Sequence, residues 1–169
     1  MKRLLLVLLP LAIIGLDALV KWGVQAHLPL ASASFGYPYG GIGLMERFLG
    51  VQGSIIHTTN SGAIWGLFSS WPIALLIVRL GFVGALVGYL MVKPLPLIAQ
   101  IPLVMIVAGA LGNVLDIFFY GHVIDMFYFV LWGWHYPVFN VADIAIFLGI
   151  GTLVVLSVFK RKAPHASVE

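Results

Sequence analysis

The sequence predicts an all-α membrane protein: four transmembrane helices, both termini cytoplasmic, and a small β-containing extracytoplasmic surface element after the first helix. Two observations carry that class. The 169 residues are 62% hydrophobic and only 9% charged, whereas water-soluble domains carry about a quarter charged residues. The apolar residues also gather into four runs near the length of about 20 residues that a bilayer crossing requires. The basic residues then supply the orientation. Of the nine Lys and Arg, Lys2, Arg3, Lys93, Lys160, Arg161 and Lys162 flank one side of the expected spans, and an excess of Lys and Arg marks the cytoplasmic face. The positive net charge of +3 reflects this topology and does not imply a nucleic-acid partner.

The spans are expected at Leu4–Val24, Trp71–Val92, Leu95–Ile117 and Val141–Phe159, within one integral domain covering residues 1–169. The first opens like a secretory signal peptide, and Ala31–Ser32–Ala33 resembles a cleavage site, but Asp17 and Lys21 interrupt the apolar run. It reads as a retained helix. Residues 25–70 are richer in Gly, Ser, Pro and Tyr and insufficiently apolar to cross. They should fold on the outer surface, with a short strand or two within Val51–Asn60. Lys93-Pro-Leu-Pro96 is a tight link between helices two and three. The Phe118–Phe139 connection contains Phe127, Tyr128, Phe129, Trp132, Trp134 and Tyr136, aromatic residues suited to the headgroup layer.

Four of the six acids, Asp17, Asp116, Asp125 and Asp143, fall in the outer leaflet or beside it on this reading. An ionisable side chain inside a membrane costs about 2.5–3.5 kcal/mol on insertion scales. Four at one depth therefore imply a site. Asn113 precedes Asp116 by three residues and Asn140 precedes Asp143 by three, a spacing that puts each pair on one helix face. Two such pairs can face each other, either as polar clasps between helices, helped by the small residues Gly109, Ala110 and Gly112, or as part of a reactive centre.

Other chemistries are narrowed by what the chain lacks. It contains no cysteine, so a thiol nucleophile and a disulfide framework are excluded. His27, His57, His122, His135 and His165 have no metal-ligand spacing, and neither a metal nor a cofactor is expected. Ser54 or Ser61 with Lys21 could make a Ser-Lys pair, but no nucleophile turn flanks either serine. Lys21 reads instead as snorkelling outward or pairing with Asp17, four residues earlier. Arg79 lies about 12 Å into helix two and has no charged neighbour in its own span. It is expected to reach Asp116 or the rim of the acidic site, or to snorkel through lipid.

Five blocks, DALVK (17–21), NSGA (60–63), GALGNVLD (109–116), GHVIDM (121–126) and FNVAD (139–143), occur in the order of the lipoprotein signal peptidase (signal peptidase II) family, which the chain resembles. The resemblance implies four helices with a surface element after the first. It also implies a bacterial membrane aspartyl protease that cuts signal peptides before a lipid-modified cysteine, with Asp125 and Asp143 matching the catalytic pair. Asp17, Lys21, Asn60, Gly62, Ala63, Asn113, Asp116 and Asn140 match other motif positions around that pair. The expected partners are membrane lipid and lipid-modified prolipoproteins, with the protein a monomer in the bacterial cytoplasmic membrane and its site on the extracytoplasmic side. The chain departs from the family pattern at Ala18 and Val20, where polar residues are usual, and at Ile117, where arginine usually follows the aspartate. A rival class is a non-enzymatic membrane protein: a lipopeptide-binding inactive relative, or a small transporter coupled to protons or cations. A relay of that kind needs polar residues in the inner half of the membrane, where helices two to four offer almost none.

Overall fold

A computed structural model describes residues 2–62, 67–68 and 70–161. Four helices, α1 (Lys2–His27), α2 (Pro72–Val92), α3 (Leu97–Tyr120) and α4 (Val141–Arg161), are joined by four strands: β1 (Ile42–Phe48), β2 (Val51–Asn60), β3 (Val123–Leu131) and β4 (Trp134–His135). Each helix is long and apolar enough to cross a membrane. Their ends are set by local chemistry. Pro96 sits at the N-cap of α3, and a residue that precedes proline is driven out of helical backbone, so α3 starts at Leu97 rather than at the expected Leu95. It stops where Gly121 adopts a left-handed φ of 77° and returns its N–H to the carbonyl of Ile117. That end lies three residues beyond the expected Ile117.

The interior is organised around α3, which packs against α1, α2 and α4. It buries nine residues, whereas α2 buries Val83 alone. Glycine makes the α3–α4 contact close: a methyl group on Gly109 would stand 2.3 Å from the carbonyl oxygen of Ala142, and one on Gly149 would stand 2.6 Å from that of Pro102. On the outward faces of α1, α2 and α4, large apolar side chains such as Leu11, Ile77 and Leu148 are exposed, as expected where the solvent is hydrocarbon.

The sheet is antiparallel in the order β1-β2-β3-β4. Its central pair joins the expected strand β2 to β3, which lies inside the Phe118–Phe139 connection, where the aromatic content predicts only a headgroup-layer link. Val123–Met126 are buried, and a strand covered on both faces shows a continuous apolar run instead of alternation. Two-residue turns close the outer hairpins at Leu49–Gly50 and Trp132–Gly133, all four residues having positive φ. The residues before α4 are stitched onto β3. Met126 and Phe127 donate to the Phe139 carbonyl at 3.1 and 2.8 Å, and Phe139 donates back to Phe127 at 3.2 Å. That stitching sets the start of α4 beside Asp125.

Candidate active site

Lys21 is the hub of the buried polar cluster. Although lysine prefers water, only 1% of it is accessible, and its ammonium has three acceptors for its three protons. Asp17 and Asp116 each lie at 2.7 Å, and the side-chain oxygen of Asn113 at 3.0 Å. The pairing with Asp17 four residues away is the one the spacing suggests. Asp116 is the added partner, and outward snorkelling does not occur. A buried charge is tolerable only when paired and hydrogen-bonded, so the three helices that supply these groups, α1 and α3 here and α4 next, must pack together.

The remaining carboxylate oxygens fasten the cluster to the backbone. Asp17 accepts the N–H of Ala142 at 2.8 Å, in the first turn of α4, where helix N–H groups lack internal partners. Asn140 and Asp143 cap the same turn reciprocally: the Asn140 side chain accepts the Asp143 N–H at 2.9 Å, and Asp143 accepts the Asn140 N–H at 3.1 Å. Asp116 accepts the N–H of Ile124 at 3.2 Å, while the Asn140 amide reaches the Ile124 carbonyl at 3.3 Å. Both peptide groups of Ile124 are thereby held, and the next residue is Asp125.

Asp125 and Asp143 are joined through Asn140. Its side-chain amide donates to Asp125 at 2.7 Å, while its main-chain N–H is the donor already described to Asp143. Asn113 links the two halves: its amide donates to Asp143 at 2.8 Å, and its oxygen accepts from Asn140 at 2.9 Å. The two Asn/Asp pairs thus face one another. Asn60, at the end of β2, donates to the other oxygen of Asp125 at 3.2 Å and accepts the Gly62 N–H at 2.9 Å. Burial, and then the charge of Asp143, push the Asp125 carboxyl up to about 6, against the opposing hydrogen bonds from Asn60 and Asn140.

Both carboxyls open on a cavity of about 690 Å³ whose polar end also includes Asn60, Gly62, Arg79 and Asn113. The guanidinium of Arg79 donates to the Gly62 carbonyl at 2.7 Å. It therefore borders the cavity that holds Asp125 and Asp143, while Asp116 is occupied by Lys21. Ala63 lies outside the described residues. The apolar end of the cavity is lined by Phe129, Leu131, Phe139, Ile144, Phe147 and Ile150. Of the aromatic run suited to the headgroup layer, Phe129 and Tyr136 line this cavity. The available signal was the alternation of Val123, Asp125, Phe129 and Leu131, which all line the cavity from odd-numbered positions of β3.

The family model described as signal peptidase (SPase) II matches residues 9–159. The chain belongs to the signal peptidase II family. Among similar proteins, the lipoprotein signal peptidase of Chlamydia pneumoniae is 41% identical over 111 residues, which cover 64% of this chain and 66% of that protein. That of Clostridium acetobutylicum is 36% identical over 108 residues, covering 63% and 70%. The chain spans less than two thirds of the Chlamydia relatives, 61% in the case of Chlamydia trachomatis serovar L2. A bacterial membrane enzyme solved by the in meso method at 2.3 Å resolution shares the fold with a TM-score of 0.81 at 21% identity, covering 97% of this chain and 94% of that one. The signal peptidase II match encloses all of the polar cluster, from Asp17 to Asp143.

Proposed function

We propose that this protein is an aspartic endopeptidase that removes signal peptides from diacylglyceryl-modified prolipoproteins, with Asp125 and Asp143 as the catalytic pair. The observation that carries this reading is the bridge through Asn140, which holds both carboxyls at the junction of a polar pocket and an apolar cavity. Two carboxyls that share one environment do not ionise together easily, so one retains a proton. The ionised member takes a proton from water as the water oxygen adds to the scissile carbonyl carbon. The protonated member donates to the carbonyl oxygen. Collapse of the tetrahedral species breaks the C–N bond, the departing nitrogen takes up a proton, and the proton count of the pair is restored.

The supporting groups have distinct tasks on this reading. Asp17, Lys21, Asn113, Asp116 and Asn140 position the pair; Asn60 and Gly62 stand at the strand end that meets it, with Ala63 next in the same motif; Arg79 supports that strand end and presents positive charge to the cavity. The pair faces the extracytoplasmic side of the bacterial cytoplasmic membrane, and both termini are cytoplasmic. That orientation rests on Lys2, Arg3, Lys93, Lys160 and Arg161 lying at the end of the helices remote from the sheet. A single chain supplies every group invoked, so the working unit is a monomer. The test is incubation of the purified protein with a diacylglyceryl-modified prolipoprotein. A shorter product is expected from the native chain and none from Asp125→Asn or Asp143→Asn; a folded native protein that leaves several such substrates intact would favour a lipopeptide-binding, inactive relative.

A further inference from the structure

A second cavity, of about 490 Å³, meets the first at Asp125. It is lined by Thr58, Thr59, Ser61, Tyr128 and His135, and shares Asn60, Tyr136, Pro137 and Val138 with its neighbour. The two differ in character. The larger continues along the apolar side chains of α4 as far as Ile150, about 13 Å past the start of that helix. The smaller is walled by hydroxyl, phenol and imidazole groups, and Thr59, Ser61 and His135 are exposed. Its far wall is built: the Tyr128 hydroxyl and His135 Nδ1 are hydrogen-bonded, their rings stack 6.0 Å apart, and Tyr39 packs edge-on against Tyr128 at 5.3 Å.

A polypeptide cut at Asp125 must leave that carboxyl in two directions, one toward each cavity. We infer that the second cavity is the subsite for the hydrophilic residues that follow the lipid-modified cysteine, and that Thr58, Thr59, Tyr128 and His135 set which residues it accepts. The inference rests on the proteolytic reading above. The chemistry of the walls supports the assignment of sides. An apolar signal segment gains from burial against Phe147 and Ile150, about 25 cal/mol per Å², whereas a polar segment loses its water there and needs donors and acceptors in exchange. The second cavity supplies them. Thr58 is also the backbone partner of Asp125 across the β2–β3 ladder, so a side chain lodged against Thr58 is about one strand spacing, roughly 5 Å, from Asp125.

The experiment compares two lipid-modified substrates that are identical through the cleaved bond. One ends with the residue that follows it, and the other continues for six polar residues. Thr59→Trp, which fills the cavity from an exposed position, is expected to lower kcat/KM for the extended substrate by roughly tenfold and to leave the truncated one within about twofold. Cleavage of the truncated substrate shows at the same time that the variant is folded. Equal losses on both substrates overturn the subsite. A second measurement needs no change in the cavity: a photoreactive benzoyl-phenylalanine placed two residues after the bond, bound to the Asp125→Asn protein, is expected to attach within Thr58–Ser61 or Tyr128–His135. Attachment within Ile144–Ile150 overturns the proposal. If the native chain cleaves neither substrate, the proteolytic reading fails and the subsite with it; cleavage of both with crosslinks on α4 sinks the subsite alone.

Discussion

At the scale of single residues, the site depends on a few buried groups whose loss has calculable consequences. Replacing either proposed catalytic aspartate by asparagine preserves shape but removes proton exchange, and cleavage is expected to fall by about 10²- to 10⁴-fold, measured as conversion of prolipoprotein on a gel. Asp125 also predicts a pH profile. Its proton is retained up to about 6 in the free protein, so kcat/KM should decline as pH rises through that region and the pair loses its donor. Asn60 donates to the ionised form of Asp125 and opposes the upward displacement; Asn60→Ala should therefore move the decline to higher pH. The same displacement has a stability sign. A carboxyl whose pKa is higher folded than unfolded contributes stability that is complete below about 4 and is lost as pH rises through about 6. The thermal midpoint of the native protein should fall relative to that of Asp125→Asn over that interval.

The lysine hub is the other residue-scale test. Lys21→Met leaves Asp17 and Asp116 buried without their cation, and breaking a buried pair from one side costs about 3–5 kcal/mol. Thermal unfolding in detergent is expected to show a loss of that size, partly recovered when Asp116→Asn is added. The existence of a polar cluster was legible in the sequence because membrane interiors penalise every charge that does no work. Its wiring was not. Whether Asp116 meets Lys21 or Arg79 depends on which helices touch α3 at that height, and residues 21 and 79 are remote from 116 along the chain.

Among the elements, the helices were readable and β3 was not, for one physical reason. A run of about 20 apolar residues has few interpretations. A nine-residue run such as Val123–Leu131 fits a buried strand, an interfacial loop or the end of a helix equally well, and its partner β2 lies more than 60 positions earlier in the sequence. The reciprocal cap at Asn140 and Asp143 is visible in the sequence as a spacing of three at the expected helix start, Val141, but the same spacing fits a shared helix face. Packing of α3 on α4 gives a discriminating mutation pair. Gly109→Ala forces a methyl group to within 2.3 Å of the Ala142 carbonyl, whereas a methyl on Gly84 of α2 meets nothing within 4 Å. The first should cost about 1–3 kcal/mol and reduce cleavage by moving Asp143; the second should be neutral or slightly stabilising. Equal behaviour in a melting assay would count against the close α3–α4 contact as the determinant of site geometry.

At the scale of the whole molecule, the polar cluster and the least buried helix are separated. The aspartates, Lys21 and the bridging asparagines come from α1, α3, α4 and the sheet, while α2 contributes Arg79 to the cavity and buries little else. For such a helix the surrounding lipid is most of its environment. Its 21 residues extend about 31 Å, close to the hydrocarbon thickness of an ordinary bilayer, about 30 Å. Any mismatch will be relieved first by tilting α2, since the polar cluster restrains the other three. Hydrophobic thickness thereby becomes a control variable for the site: reconstituted into bilayers of graded acyl length, the protein should pass through an optimum of cleavage, and the decline on the thicker side should be governed by the angle at which one guanidinium borders the cavity of the proposed catalytic pair.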